Sequence, residues 1–110
     1  MTVSPEVRMQ IHFERKGGFA NIPLTTTVDV DQLPRVEADR LRQAVAAANF
    51  FSLPPQITAP SPMPDRFRYV LTIETPEQTH KVSVDEGAAP PTLNSLIEAL
   101  SSVARLRRGA

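Results

Sequence analysis

Val7-Arg8-Met9-Gln10-Ile11-His12-Phe13-Glu14, followed at once by Arg15-Lys16-Gly17-Gly18-Phe19-Ala20-Asn21-Ile22, is the stretch on which the fold turns. Val7, Met9, Ile11 and Phe13 alternate with Arg8, Gln10, His12 and Glu14. A period of two puts one set on a buried face and the other in water, so this segment reads as a strand. Beyond the glycines the alternation resumes, with Ile22, Leu24, Val28 and Val30 against Pro23, Thr25, Thr27 and Asp29, and Thr26 interrupting the apolar row. Threonine and valine favour extended backbone. The two strands form an antiparallel hairpin, and the second starts at or after Pro23 or runs along an edge there, because proline has no N–H to give to a ladder. In the link, Gly17-Gly18 can take φ > 0 without steric cost and places no side chain in a neighbour's way. Phe19 sets a large apolar ring beside them, although a hairpin connection needs only to reverse the chain. Either that ring folds back onto the core or it enters something else.

Working outward, Asp31 to Pro34 reads as a helix start, an acidic cap candidate followed by a proline tolerated in the first turn. The helix runs to about Asn49, with Leu41, Ala44, Val45 and Ala48 on one stripe and Arg35, Asp39 and Arg42 opposite. Phe50, Phe51 and Leu53 close its end as core anchors, and Pro54-Pro55 stops it. Residues 54–65 hold Pro54, Pro55, Pro60, Pro62 and Pro64 and no usable periodicity, so they read as a long stiffened loop. A third strand places Phe67, Tyr69, Leu71 and Ile73 on one face, and Thr75-Pro76-Glu77-Gln78 turns the chain. A fourth places His80, Val82 and Val84 inward. The last helix carries Leu93, Leu96, Ile97, Leu100, Val103 and Ala104 at helical spacing, and Arg105, Arg107 and Arg108 complement its C-terminal dipole. The order ββαββα predicts an α+β fold: a four-stranded, mainly antiparallel sheet with two helices packed on one face. Each strand has one apolar face, so the other is wet or meets a partner.

The 110 residues are expected to form a single domain over 1–110. About the first five and the last four residues are expected to be flexible. Formal net charge is zero, which gives no field to attract nucleic acid or an anionic membrane. No apolar run is long enough to span a bilayer, and the N-terminus has neither the basic flank nor the apolar core of a signal peptide. With no cysteine there is no disulfide framework, thiolate nucleophile or thiolate zinc site. These observations predict a cytoplasmic protein.

Catalytic chemistry finds no constellation. His12 falls on the polar face of its strand and His80 on the apolar face of another, which sets them on opposite sides of the sheet. Ser/His/Asp arrangements, H-E-x-x-H, G-x-G-x-x-G and Walker phosphate loops are absent. Glu14, Asp29, Asp31, Asp65, Glu74 and Asp85 mark element ends. Asp65-Arg66-Phe67-Arg68-Tyr69 interleaves bases with aromatics, but the aromatics share a face with Leu71 and Ile73 and so read as core rather than as a stacking platform for single strands. No enzyme activity, catalytic residue, metal site or cofactor is expected.

Taken in order, the chain resembles the emfourin family, proteinaceous inhibitors of protealysin and other thermolysin-like zinc metallopeptidases. The resemblance is carried by Arg15-Lys16-Gly17-Gly18-Phe19-Ala20, by Val28-Asp29 with Leu33-Pro34, and by Phe50-Phe51-Ser52-Leu53-Pro54. It continues through Asp65-Arg66-Phe67-Arg68-Tyr69, His80-Lys81-Val82-Ser83-Val84, and Pro90 with Leu93, Leu96 and Leu100. Asn21 stands where the family pattern has glycine; asparagine is the next residue to tolerate the left-handed region. The resemblance implies a cytoplasmic inhibitor with a thermolysin-like metallopeptidase as partner, no nucleic-acid or membrane partner, and a monomer when free. Such enzymes favour a large apolar residue just after the scissile bond. Arg15, Lys16, Gly17, Gly18, Phe19, Ala20, Asn21 and Ile22 are then the partner-binding residues, with Phe19 or Ile22 filling that pocket and the glycines bringing main chain close to the cleft floor. A carboxylate or carbonyl reaching the zinc is the other way such a loop could act. The alternative function is a non-catalytic interaction module using the exposed sheet face or the proline-rich loop.

Overall fold

The computed structural model describes residues 8–17, 23–60 and 66–108. The expectations of flexible termini lie almost wholly outside them, as do Gly18, Phe19, Ala20, Asn21 and Ile22. The elements are β1 (Gln10–Gly17), β2 (Leu24–Asp29), α1 (Arg35–Ala48), β3 (Gln56–Ile57), β4 (Phe67–Glu74), β5 (Thr79–Asp85) and α2 (Pro91–Arg108). They form one sheet of order β2-β1-β4-β5-β3. β1 pairs antiparallel with β2 (Ile11 opposite Val28) and with β4 (Phe13 opposite Leu71), and β4 pairs antiparallel with β5 (Leu71 opposite Val82).

The α+β class and the two helices hold, but the four-stranded sheet is corrected to five strands with mixed pairing. Gln56 and Ile57 run parallel to β5 opposite Ser83 and Val84. The Ser83 N–H donates to the Pro55 carbonyl at 2.9 Å. The physical reason lies in the prolines: Pro54-Pro55 holds the chain extended just where it passes the β5 edge. Two residues are too few for an alternating pattern, so nothing in the hydropathy marks them.

One apolar core lies between the sheet and both helices. Ile11, Phe13, Leu24, Val28, Leu71, Ile73, Val82 and Val84 face Leu41 and Val45 of α1 and Leu93, Leu96, Ile97 and Leu100 of α2, all buried. Each such side chain contributes about 1.5–3 kcal/mol on leaving water. Phe50 is 1% exposed and anchors the end of α1 as expected, with Phe51 half-buried and edge-on to it at 5.7 Å.

The start of α1 differs in detail from the sequence reading. Val30–Gln32 form a separate 3-10 turn capped by Asp29, whose side chain accepts from the Asp31 N–H. Asp31 caps nothing; its Oδ1 accepts from Arg42 Nη2 at 2.7 Å, pinning that turn to α1. Pro34 takes the N-cap position and its carbonyl accepts from the Ala38 N–H at 2.9 Å. Asn49 ends the helix in the left-handed region at φ 51°, a cap asparagine tolerates.

Candidate functional site

β1 ends at Gly17 and β2 resumes at Leu24, on the side of the sheet where β4 begins and β5 ends. The glycine loop therefore leaves from that end. The proline-rich connection leads there too, because β3 runs parallel to β5 and is followed by the start of β4 at Phe67. Two of the three described site residues meet that re-entry point.

Gly17 has φ +85°, in the region L side chains avoid, and a Cβ placed on it would lie 2.7 Å from the Arg66 carbonyl oxygen. Backbone thus packs on backbone where β1 ends opposite Phe67, and only glycine satisfies both conditions. Arg15 points to the helix face of the sheet. Its guanidinium carbon stands 4.4 Å from the centre of the Phe67 ring, and its Nε is buried without a hydrogen bond. Lys16, on the opposite face, is exposed and lies 3.7 Å from Glu14.

Successive carboxylates hold the surrounding chain. Asp85 Oδ2 accepts from the Ala59 N–H at 3.0 Å, and its Oδ1 accepts from Arg68 Nε at 3.0 Å. The Ala59 amide, with Arg68 behind it, holds this carboxyl below the usual aspartate range. Glu86 Oε1 accepts from the Phe67 N–H at 2.9 Å while the Glu86 N–H donates to the Phe67 carbonyl at 2.9 Å. Both ends of the proline-rich connection are thereby tied to the end of β5.

The aromatics at the start of β4 are a site feature that alternation hid. Phe67 and Tyr69 do share the face of Leu71 and Ile73, but they are half-buried where those two are fully buried. Tyr69 lies 6.1 Å from Phe13 and 6.3 Å from Phe67, ring centre to ring centre. A groove of about 520 Å³ opens beside them, walled by Arg15 and Tyr69 on the sheet, by Glu86, and by Glu98, Ser101 and Arg105 of α2. Burial raises the Tyr69 phenol above its ordinary value and Glu86 adds to the shift, with Arg15 and Arg105 opposing. A period of two reports which face a residue takes, but not where along the strand the covering helices stop.

The rival sites have structural partners. His12 Nε2 lies 3.1 Å from Glu74 Oε2, and its Nδ1 lies 3.1 Å from Thr27 Oγ1. His80 Nε2 donates to the Leu53 carbonyl at 2.7 Å, and its ring meets Phe50 edge-on at 5.6 Å. Among the described residues no group of three or more His, Asp or Glu could hold a metal ion, and no helix is long and apolar enough to cross a membrane.

No curated protein and no solved structure matches the chain. The emfourin family model matches residues 13–101, from the core of β1 through most of α2. That span includes the glycine loop, the proline-rich connection and every groove-lining residue except Ser102 and Arg105, and by it the chain belongs to the emfourin family.

Proposed function

We propose that this protein is an inhibitor of a thermolysin-like zinc metallopeptidase and that it blocks the substrate cleft with the loop from Arg15 to Ile22. The observation that carries the reading is the family match over residues 13–101, since emfourins are metallopeptidase inhibitors. Phe19 or Ile22 fills the apolar pocket that accepts the residue after the scissile bond, and the loop backbone adds hydrogen bonds along the cleft. The frame supports this role. Gly17 brings the β1 end against Arg66, and Glu86 clamps Phe67, so the loop leaves a base that is already ordered. Less freedom is then lost on binding. The protein acts without catalysis of its own, as a monomer in the cytoplasm of the cell that makes the peptidase.

The test is an inhibition titration against thermolysin-like enzymes with a small fluorogenic peptide. Turnover falls at near-stoichiometric inhibitor. Phe19→Ala weakens inhibition by about tenfold or more, as expected for an aromatic anchor, while its melting temperature stays close to that of the parent. Full turnover at micromolar inhibitor across several such enzymes refutes the function; a large loss of stability in Phe19→Ala refutes the placement of the ring.

A further inference from the structure

We propose that the groove between α2 and the start of β4 is a second docking site, which takes an acidic side chain from the partner peptidase next to its blocked cleft. This rests on the inhibitor reading above and extends it to a contact outside the loop tip.

The argument is one of unfilled hydrogen-bonding valence. Among the described residues the three acids of the groove are engaged. Asp85 accepts from the Ala59 amide and from Arg68 Nε, each at 3.0 Å, Glu86 accepts from the Phe67 amide at 2.9 Å, and Glu98 accepts from Asn94 Nδ2 at 3.4 Å. The two bases are not: neither Arg15 nor Arg105 forms an ion pair or hydrogen bond there, and the Arg15 Nε is buried with nothing to donate to. A buried donor left without an acceptor costs free energy that a bound acceptor returns. Arg15 is also positioned in advance, since its guanidinium is stacked on Phe67 and fixed at one end of the groove. The Tyr69 hydroxyl, half-buried between the two arginines and the two glutamates, adds a third donor.

Carboxylate is the chemistry that matches. It accepts in the plane of a guanidinium with two oxygens and leaves room for a phenol. A polyphosphate backbone fits poorly, because it would run past Glu86 and Glu98. The apolar surface of Tyr69, Ala89 and Ile97 in the groove suits the methylene stem of a glutamate rather than a small inorganic anion. Arg15 also ties the groove to the proposed cleft-blocking loop, standing two residues before the close approach of Gly17 to Arg66. The end of β1 that leads into the loop thus also contributes a wall of the groove.

The experiment compares Arg15→Gln, Arg105→Gln, their double variant, Tyr69→Phe and the sheet-face control Lys81→Gln, each checked for an unchanged melting transition. Inhibition constants are measured at low and high salt. The double variant is expected to weaken inhibition about tenfold and to flatten its salt dependence, Tyr69→Phe by about threefold, and Lys81→Gln to match the wild type. In a second arm the unbound wild-type protein is titrated with acetyl-Gly-Glu-Gly-amide while the Arg15 Nε–H resonance is followed; saturation at about 10 mM is expected, and none with the glutamine analogue of the peptide. Inhibition by the double variant within twofold of wild type overturns the peptidase contact and leaves the cleft-blocking loop standing. An unmoved Arg15 resonance overturns the carboxylate site itself. Absence of inhibition by the wild type overturns the inhibitor reading and the assignment of the carboxylate to a peptidase.

Discussion

Gly17→Ala, measured beside Gly87→Ala, tests how the frame of the loop is built. The two glycines share a backbone conformation, φ +85° and φ +86°, and differ in their surroundings. Placing an L side chain in that region costs about 1–2 kcal/mol at either position. A Cβ on Gly87 meets nothing within 4 Å, so the backbone cost is the whole expectation there. Non-bonded heavy atoms pack best at about 3.5 Å, and a Cβ on Gly17 at 2.7 Å from the Arg66 oxygen has to be relieved by movement. The cheapest relief parts the last residues of the β1–β4 ladder. That loses a backbone hydrogen bond, about 1 kcal/mol, and weakens the stacking of Arg15 on Phe67, about 0.5–1 kcal/mol. Gly17→Ala should therefore destabilise by about 3 kcal/mol and Gly87→Ala by about 1.5 kcal/mol. For a chain of this size the melting temperatures fall by about 12 and 6 °C, respectively. Thermal and urea denaturation followed by circular dichroism give both numbers. Equal losses at the two sites, or a smaller loss at Gly17, refute the claim that close approach to Arg66 requires glycine.

Asp85→Asn keeps the shape but removes the charge that holds the Ala59 amide and Arg68. Because the folded carboxyl is held below its ordinary value, its contribution is present above about pH 4 and is lost as the pH falls through the folded value. The variant should be less stable by about 1 kcal/mol at neutral pH, and the gap should close in acid; a gap constant down to pH 2 contradicts this account. His80→Phe retains a ring against Phe50 but leaves the Leu53 carbonyl without its donor. Unfolding free energy should drop by about 1–3 kcal/mol, with inhibition unchanged once folded; a neutral substitution would show the carbonyl finds water instead. Phe50→Ala empties the core at the end of α1 and should cost about 3–5 kcal/mol, read as a lowered urea midpoint.

Much of the fold was legible because long elements carry long patterns. The alternation through Ile11 and Phe13, through Leu71 and Ile73, and through Val82 and Val84 names the buried face, and those residues are the core. Helical spacing from Leu93 to Leu100 does the same for α2. The misses occur where an element is shorter than its own period or where a tertiary boundary decides. Gln56 and Ile57 pair with β5 over two residues, fewer than one repeat of alternation. Asp31 does not cap α1 because a one-turn 3-10 helix capped by Asp29 precedes it, and Pro34 takes the N-cap of α1 without a side-chain hydrogen bond. Phe67 and Tyr69 lie on the expected face but are only half-buried, and Tyr69 lines a groove against α2 rather than filling the core. The glycine pair was legible as a special conformation, which Gly17 adopts; the approach of Arg66 depends on strand order, which no local pattern encodes.

The contacts at this end of the sheet converge on one short segment. Gly17 packs under the Arg66 carbonyl, Glu86 brackets the Phe67 backbone, and Asp85 holds Arg68 together with Ala59. Residues 66–68 are thus where the proline-rich connection enters β4 and also where the glycine loop finds its base. The described ends of both loops are held at one place. A substitution there, even one with no contact to a partner, should disturb the Gly17 and Ala59 contacts and the Arg15 guanidinium stacked on Phe67. That arrangement explains why residues that mostly cap and clamp surround the proposed contacts. Under the proposed inhibitor mechanism, rigidity where the loops begin sets how much ordering remains to be done on association, and hence how much of the contact energy appears as affinity.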